Sequence, residues 1–217
     1  MLNMVPLDMS TSSVQYLCKK DKRLKKLISM VGPISYISHE EDAYSFLIHE
    51  IIEQMLSIKA GRKIYGRLEL LCDGEIIPER IEALTDEEIS SVGTSSSKVK
   101  CIRGVTEAVL CGDINFEDMH NLSDDEVMQH LTKIHGIGKW TAKMFLMFVL
   151  ERPDVLLVED GAFLQTYRWI YKTDECDEKS VYKKCRKWKP YSSIAARFFY
   201  KALDAGMTKE EFHLFKQ

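Results

Sequence analysis

The sequence predicts an all-α protein. Apolar residues recur at helical steps of three and four along most of the chain, and the strict alternation of half-buried strands is nearly absent. Capping signatures precede several apolar runs, and no internal repeat or low-complexity tract is visible. At a mean helix length of about eleven to twelve residues, roughly nine to eleven helices are expected in a chain of this size.

The predicted helices follow from their local patterns. The longest is expected over residues 42–71, where one apolar stripe runs without interruption. Thr85 and Ser123, each followed three residues later by glutamate, form the capping boxes of two more helices. Ser97 is expected to cap the helix that runs through Leu110. Further helices are predicted over 139–150, from 160–161 onward, and over 194–205.

The composition is that of an ordinary globular protein, with 217 residues, 45% hydrophobic and 29% charged. No run of 18 apolar residues is present and the N-terminus lacks a secretory pattern, so we expect no membrane contact and no secretion. The expected location is cytoplasmic (the bacterial nucleoid) or, in a eukaryote, nuclear. Six scattered cysteines without a C-x-x-C pair argue against zinc, an iron–sulfur cluster and disulfides.

The net charge of −3 gives no sign of a nucleic-acid partner, although affinity depends on local basic surfaces rather than on net charge. Two basic clusters occur, at 19–26 and 183–187. Each cluster alone is more simply interpreted as a solvated helix face.

The most informative segment is 131–142, in which two glycines separate two helical patterns. Gly136 and Gly138 permit positive φ and hence a very tight turn. The main-chain amides there would lie at a helix N-terminus, where partial positive charge suits a phosphate group. Lys139 and Lys143 add full charges. The alternative is a plain corner between two helices.

Three segments together, 131–142, 152–160 and 188–193, resemble the helix-hairpin-helix (HhH-GPD) DNA glycosylases. The resemblance extends from about Leu17 to Ala205 and is closest to the 3-methyladenine DNA glycosylase II branch, in a short form without the N-terminal β domain. It implies a single glycosylase unit, 1–217, of two helical lobes with a DNA-binding cleft. The lobes implied are 42–150 and 1–41 with 151–217.

Asp160, 22 positions after Gly138, falls on the catalytic carboxylate of that family. Cleaving an N-glycosidic bond builds positive charge on the sugar, and a nearby anion stabilises that charge. The same carboxylate can orient or deprotonate the attacking water. The simpler interpretation of Asp160 is a helix N-cap, and the two roles are compatible.

The resemblance also implies the other site residues. Trp140 stands where bifunctional relatives carry a lysine nucleophile, so no lyase activity is expected, and Lys139 is one residue out of place. Gln54 and Met55 are the candidate DNA wedge, with core packing as the alternative for Met55. The other implied sets are the base pocket (Trp140, Tyr200, Trp188 and Tyr191), the DNA-backbone contacts (Gly136, Ile137, Gly138, Lys139, Thr141 and Lys143), and the backbone carbonyls for a monovalent cation, K⁺ or Na⁺ (Thr132, Ile134 and Ile137). Core packing is the alternative for each aromatic residue.

The expected function is therefore excision of alkylated purines, of the 3-methyladenine and 7-methylguanine type, from double-stranded DNA. Base flipping, a monomeric protein and no required cofactor are expected with it. A non-catalytic DNA-binding protein is one alternative. A glycosylase for hypoxanthine, ethenoadenine or uracil is another.

Overall fold

The computed structural model describes residues 4–38 and 42–215 and, of Ile58, only the backbone. Contacts divide the chain into two compact units, a terminal unit of Met1–His39 with Glu151–Gln217 and a central unit of Glu40–Leu150. No helix in the described ranges has both the length and the apolarity needed to cross a membrane.

The terminal unit contains one strand pair and five α-helices among its described residues. These are β1 (Met4–Leu7), α1 (Ser12–Lys20), α2 (Lys22–Val31), β2 (Ile34–Ile37), α10 (Gly161–Tyr171), α11 (Glu178–Cys185) and α12 (Ser192–Asp204). Two 3₁₀ turns, Arg186–Trp188 and Met207–Lys209, flank α12. The strands are antiparallel, with Met4 opposite Ile37 and Leu7 opposite Ile34.

The central unit contains seven α-helices among its described residues. These are α3 (Ala43–Glu53), α4 (Ile58–Leu71), α5 (Pro78–Ala83), α6 (Asp86–Ser91), α7 (Ser96–Leu110), α8 (Asp124–Thr132) and α9 (Lys139–Phe148), with a 3₁₀ turn at Asp118–Asn121. Helix α3 lies at its centre, packed on α4, α7 and α9. Phe46 of α3 meets Phe145 of α9 with ring centroids 6.5 Å apart.

The all-α prediction is confirmed, with two differences in detail. The described residues contain more helices than expected, partly because residues 42–71 form two helices rather than one. The strand pair was not predicted, since each strand has only four residues and its partner is about thirty residues away.

Helix starts were predictable where the cap is local. Both capping boxes are confirmed, with Thr85 and Ser123 each accepting from the amide three residues on. The cap of α7 is Ser95, which accepts from the Lys98 amide, so the prediction of Ser97 is wrong by two residues. Three consecutive serines each offer a competent cap, and local sequence does not choose among them.

Aromatic packing forms the centre of the terminal unit. Phe163 of α10 stacks on Phe199 of α12 at 5.0 Å between centroids, and Trp188 packs edge-on against both rings. All three side chains are fully buried. Each such aromatic buries on the order of 150–250 Å², so this cluster is a large part of the driving force that joins α10 to α12.

Asp21 is a buried carboxylate that joins three segments of the terminal unit, namely the start of α2, the end of α10 and the 3₁₀ turn at 186–188. It caps α2 by accepting from the Arg23 and Leu24 amides. It also accepts from the Trp188 indole nitrogen at 3.0 Å and from the Tyr171 hydroxyl, and Lys187 Nζ lies 2.9 Å from Oδ2. Burial opposes ionisation, but these donors outweigh it, and the pKa of the Asp21 carboxyl lies below its ordinary value.

Replacing Asp21 by Asn tests this anchor, because the amide retains a capping oxygen but removes the charge that Lys187 and Tyr171 approach. We expect the free energy of unfolding at pH 7 to fall by about 2–4 kcal/mol. Because the folded-state pKa is lowered, the stabilisation is present above the unfolded value and is lost as pH falls through the folded value.

Urea denaturation at pH 7 and at pH 3 measures this effect. The difference in the free energy of unfolding between wild type and Asp21→Asn should be smaller at pH 3 than at pH 7. A gap of the same size at both values would contradict the role given to the charge.

Candidate functional site

The turn between α8 and α9 is built around a close backbone contact. Gly136 has φ of +90°, and a Cβ placed there would lie 2.7 Å from Sγ of Cys101 on α7. Gly138 has an extended backbone with φ of −93°, so the expectation of positive φ holds for Gly136 alone. Burial raises the pKa of Cys101 to about 11, which leaves its thiol a neutral packing group.

The exposed edge of this turn has the features expected of a phosphate site. Gly138 and Lys139 are exposed at the N-terminus of α9, and Lys143 is half-buried one turn later. The first amides of a helix lack intrahelical acceptors and carry partial positive charge. Main-chain donors and a lysine ammonium therefore lie together on the surface of the central unit.

Ile137 and Thr141 support the turn instead of presenting groups at its surface. Ile137 is buried and its amide donates to the Ile134 carbonyl at 3.1 Å. Thr141 is 1% exposed, and its hydroxyl accepts from the Gln54 amide group at 3.1 Å. These placements correct the prediction that both residues contact the DNA backbone.

Gln54 joins the hairpin to the loop between α3 and α4. Its Nε2 donates to the Gly136 carbonyl at 3.2 Å as well as to Thr141. Lys98 of α7 holds the same loop by donating from Nζ to the Ile52 and Gln54 carbonyls, both at 2.8 Å. Partial burial lowers the pKa of Lys98. The hairpin and this loop are thus one connected structure in the central unit.

Met55 is at the tip of this loop and is fully exposed, at 101% relative accessibility. Its backbone is left-handed, with φ of +59°, which costs a non-glycine residue about 1–2 kcal/mol. The core-packing alternative for Met55 is wrong. An exposed, unbranched apolar side chain on a firmly held loop has the form that a wedge between bases requires.

Asp160 begins α10 in the terminal unit. Its Oδ1 accepts from the Phe163 amide at 2.6 Å, and its own amide donates to the Leu157 carbonyl at 3.2 Å. The residue is 8% exposed. The capping role is confirmed, and the carboxylate is fixed relative to the aromatic cluster because Phe163 is a member of that cluster.

The segment leading to Asp160, residues 152–159, is here called the approach segment. Hydrogen bonds attach it to the start of α12. Ser193 Oγ donates to the Arg152 carbonyl at 2.6 Å and accepts from the Val155 amide at 2.9 Å. Its amide donates to the Pro153 carbonyl at 3.0 Å. One serine therefore provides hydrogen bonds to three residues of the approach segment.

Asp154 makes a second attachment between the same two segments. Its Oδ1 accepts from the Ser192 hydroxyl at 2.6 Å and from the Ser192 amide at 3.2 Å, while Lys189 Nζ lies 3.5 Å from Oδ2. Ser192 occupies the position where the resemblance leads one to expect arginine. The short side chain lets Asp154 cap α12 from another part of the chain.

The four predicted pocket aromatics divide into two groups. Trp140, Tyr191 and Tyr200 are half-buried, and Tyr191 packs edge-on against Tyr16 at 5.4 Å between centroids. Trp188 has no exposed surface and donates to Asp21, so its prediction as a pocket residue is wrong. Its role is core packing.

A model of the HhH-GPD superfamily base excision DNA repair proteins matches residues 48–190, about two thirds of the chain. The chain belongs to the HhH-GPD superfamily. The matched range contains Gln54, the hairpin and Asp160.

Individual proteins match this chain over 88% or more of its length. DNA-3-methyladenine glycosylase 1 of Schizosaccharomyces pombe is 29% identical over 197 residues, covering 88% of this chain and 86% of the relative. A crystal structure of DNA-3-methyladenine glycosidase from Bacillus halodurans superposes with a TM-score of 0.82 at 33% identity and 97% coverage of both chains. The S. pombe 3-methyladenine DNA glycosylase in complex with abasic DNA gives 0.83 at 26% identity, covering 95% and 100%.

Several supporting residues of this HhH-GPD protein carry no local signal in the sequence. Cys101 is one cysteine among six, and Lys98 is one lysine in a helix that has several charged residues. The Asp154–Ser192 contact joins residues 38 positions apart. Each acquires its role from a contact that forms only when the chain is folded.

Substitution of the two hairpin glycines by alanine should give different results. Gly136→Ala places a methyl group against Cys101 at an unfavourable φ, and we expect a loss of about 2–4 kcal/mol in unfolding free energy. Gly138→Ala meets nothing within 4 Å and should cost less than about 1 kcal/mol, while weakening DNA binding through the added methyl group.

Urea denaturation and duplex binding by fluorescence anisotropy measure these effects. Equal destabilisation by the two substitutions would contradict the close-contact account of Gly136.

Met55→Gly should remove the wedge without unfolding the loop. Glycine relieves the left-handed strain but gains entropy in the unfolded chain, so stability should stay within about 1 kcal/mol of wild type. Met9→Gly, at another exposed methionine in a turn, is the control.

The readout is fluorescence of 2-aminopurine opposite or beside the lesion during base flipping. The signal should fall strongly for Met55→Gly and stay unchanged for Met9→Gly. A full signal from Met55→Gly would exclude the wedge role.

Proposed function

We propose that this protein is a monofunctional DNA glycosylase of base excision repair that hydrolyses the N-glycosidic bond of alkylated purines. The proposed substrates are 3-methyladenine and 7-methylguanine in double-stranded DNA, and the proposed active form is a monomer. The observation that carries the proposal is the placement of Asp160. Asp160 is a largely buried carboxylate at the N-terminus of α10, and it stands at the position of the catalytic residue in the motif of this superfamily.

Asp160 is the proposed catalytic group. As the base departs, the deoxyribose gains oxocarbenium character, and a fixed carboxylate stabilises it more than it stabilises the neutral ground state. Because the Phe163 amide already orients the carboxylate, little reorganisation is needed during the reaction. The same group can accept the proton of the attacking water.

Water is the proposed nucleophile because the lysine position of bifunctional relatives is occupied by Trp140. The neighbouring Lys139 is exposed at the first position of α9, whereas Trp140 is half-buried. Successive residues of a helix differ by about 100° in direction, which is consistent with different roles for the two. Lys139 is assigned to phosphate contact.

The substrate preference is proposed from the aromatic residues and from the relatives. Trp140, Tyr191 and Tyr200 remain the candidate pocket residues, since each has partial exposure. Purines alkylated at N3 or N7 are cationic, and an aromatic face attracts a cation by roughly 0.5–2 kcal/mol. The names of the relatives above specify 3-methyladenine.

The DNA-backbone contacts proposed are Gly136, Gly138, Lys139 and Lys143, with Met55 as the wedge and Gln54 as its support. The proposed ligands of a monovalent cation are the carbonyls of Thr132, Ile134 and Ile137. They are neutral oxygens, and the Ile134 oxygen, which accepts from the Ile137 amide, keeps a second lone pair. A bound cation would add positive charge beside the phosphate. No other cofactor is proposed.

The test is release of free base from methylated duplex DNA, measured by chromatography for wild type, Asp160→Asn and Asp160→Ala. Asparagine caps a helix about as well as aspartate, so Asp160→Asn should keep its stability yet release base about 10²–10⁴-fold more slowly. Asp160→Ala should lose both the activity and about 1 kcal/mol of stability.

Equal release by wild type and Asp160→Asn would exclude Asp160 as the catalyst. Duplexes with hypoxanthine, ethenoadenine or uracil, assayed in parallel, identify a different lesion preference. Binding without release from any of these substrates would support the non-catalytic alternative. Borohydride should trap no covalent enzyme–DNA adduct.

A further inference from the structure

The two basic clusters of the sequence, 19–26 and 183–187, meet in the terminal unit. Lys187 Nζ lies 2.9 Å from the Asp21 carboxylate, and the Trp188 indole donates to the same group. The Tyr16 hydroxyl donates to the Lys189 carbonyl at 2.7 Å. The end of α1, the start of α2 and the end of α11 are therefore neighbours, although α11 is about 160 residues away in sequence.

The surface they form is strongly positive. Residues 19–26 and 183–189 contain eleven basic side chains and one acidic side chain, Asp21, which is buried. Lys19, Lys20, Lys22, Lys183, Lys184 and Arg186 are exposed and are here called the basic surface. Within the described parts of the chain, no carboxylate lies within 4.0 Å of any of these six cationic groups.

The net charge of the whole chain does not reveal that positive charge is concentrated in the terminal unit. The terminal unit has 19 basic and 13 acidic residues, a net charge of +6, while the central unit has 11 basic and 20 acidic, a net charge of −9. The value of −3 for the chain is the sum of two oppositely charged units. The hairpin lysines, Lys139 and Lys143, belong to the acidic central unit, so they do not explain the positive charge of the terminal unit.

Structural roles account for only part of the basic surface. Lysines in the last turns of α1 and α11 complement helix dipoles, which contributes about 0.3–1 kcal/mol each. Asp21 is already satisfied by Lys187, Trp188 and Tyr171, so it does not need the other cations. Binding of an external anion among these six cations lowers their mutual repulsion.

We propose that the basic surface binds the phosphate backbone of duplex DNA, in addition to and separately from the hairpin. The proposal rests on the proposed function as a DNA-acting enzyme. Lysine ammonium groups are point charges that suit phosphates without base readout, so the contact is independent of sequence and lesion. It would supply nonspecific affinity that the acidic central unit cannot supply by net charge.

The experiment neutralises three members that make no ion pair, ring contact or side-chain hydrogen bond with any residue that the structure describes. The triple variant is Lys19→Gln, Lys22→Gln, Lys183→Gln. The matched control is Lys172→Gln, Lys201→Gln, Lys209→Gln, three exposed lysines of the same unit that lie at the end of α10, in α12 and in the 3₁₀ turn after α12. Both triples change the net charge equally. A third variant with arginine at 19, 22 and 183 keeps the charge.

Affinity for undamaged duplex DNA is measured by anisotropy over a series of salt concentrations. The slope of log K against log salt should become shallower by about 0.9 for each phosphate that the variant no longer neutralises, hence by up to about 3 for the first triple. Affinity at low salt should fall by at least about tenfold, since each neutralised phosphate contributes to binding. The control triple should stay within about twofold of wild type, and the arginine variant should keep the wild-type slope.

Equal changes in both glutamine triples would show an effect of net charge and overturn the proposal. An unchanged slope in the first triple would also overturn it and would favour an acidic protein as the partner of this surface. The salt slope does not depend on catalysis, so it is read independently of base release. If wild type fails to release any base but the slopes behave as expected, the glycosylase proposal fails and the DNA-binding surface stands.

Discussion

The hydrogen bond from the Phe163 amide to Asp160 is the constraint on which the proposed chemistry depends. It fixes the carboxylate at the start of α10, and Phe163 is in turn fixed by its stacking on Phe199 and its contact with Trp188. Trp188 is held by its indole hydrogen bond to Asp21. A continuous set of buried contacts thus runs from the cap of α2 to the candidate catalytic group, and packing energy maintains the orientation that catalysis requires.

The approach segment is constrained from its other side. Ser193 satisfies the main chain at Arg152, Pro153 and Val155, and Ser192 pairs with Asp154. These hydrogen bonds attach the first residues of the segment to the start of α12. Serine in place of the expected arginine at position 192 therefore has a structural role in this protein. It lets the Asp154 carboxylate accept hydrogen bonds from the first residue of α12.

The central unit applies the same principle to the DNA contacts. The hairpin packs on Cys101 through Gly136, and Gln54 links it to the loop that presents Met55. Lys98 closes the arrangement through two carbonyls of that loop. Met55 is exposed, as are Gly138 and Lys139, and part-buried hydrogen bonds of Gln54 and Lys98 support the loop and the hairpin that carry them. The backbone of Met55 stays left-handed because hydrogen bonds of the neighbouring residues fix the loop.

The sequence predicts the features that a few neighbouring residues encode. It does not predict the features that depend on contacts between residues far apart in the chain. The capping boxes at Thr85 and Ser123 and the hairpin are encoded within a few residues. The break at residues 54–57 was missed because the apolar stripe continues across it, and the loop exists partly because Gln54 bonds to the hairpin 82 residues away. The motif around Trp188 predicts a pocket residue, because a motif does not show that the side chain is buried. Asp21, with partners 150 and 167 residues away, could not have been found from its own neighbourhood.

The proposed role of the Asp160 carboxylate is to stabilise a positively charged sugar. The most direct measurement compares the affinity of wild type and Asp160→Asn for two duplexes, one with a cationic pyrrolidine in place of the deoxyribose and one with a neutral tetrahydrofuran. Wild type should prefer the cationic duplex, and the substitution should abolish this preference while leaving binding to the neutral duplex unchanged. The same preference in both proteins would contradict the account.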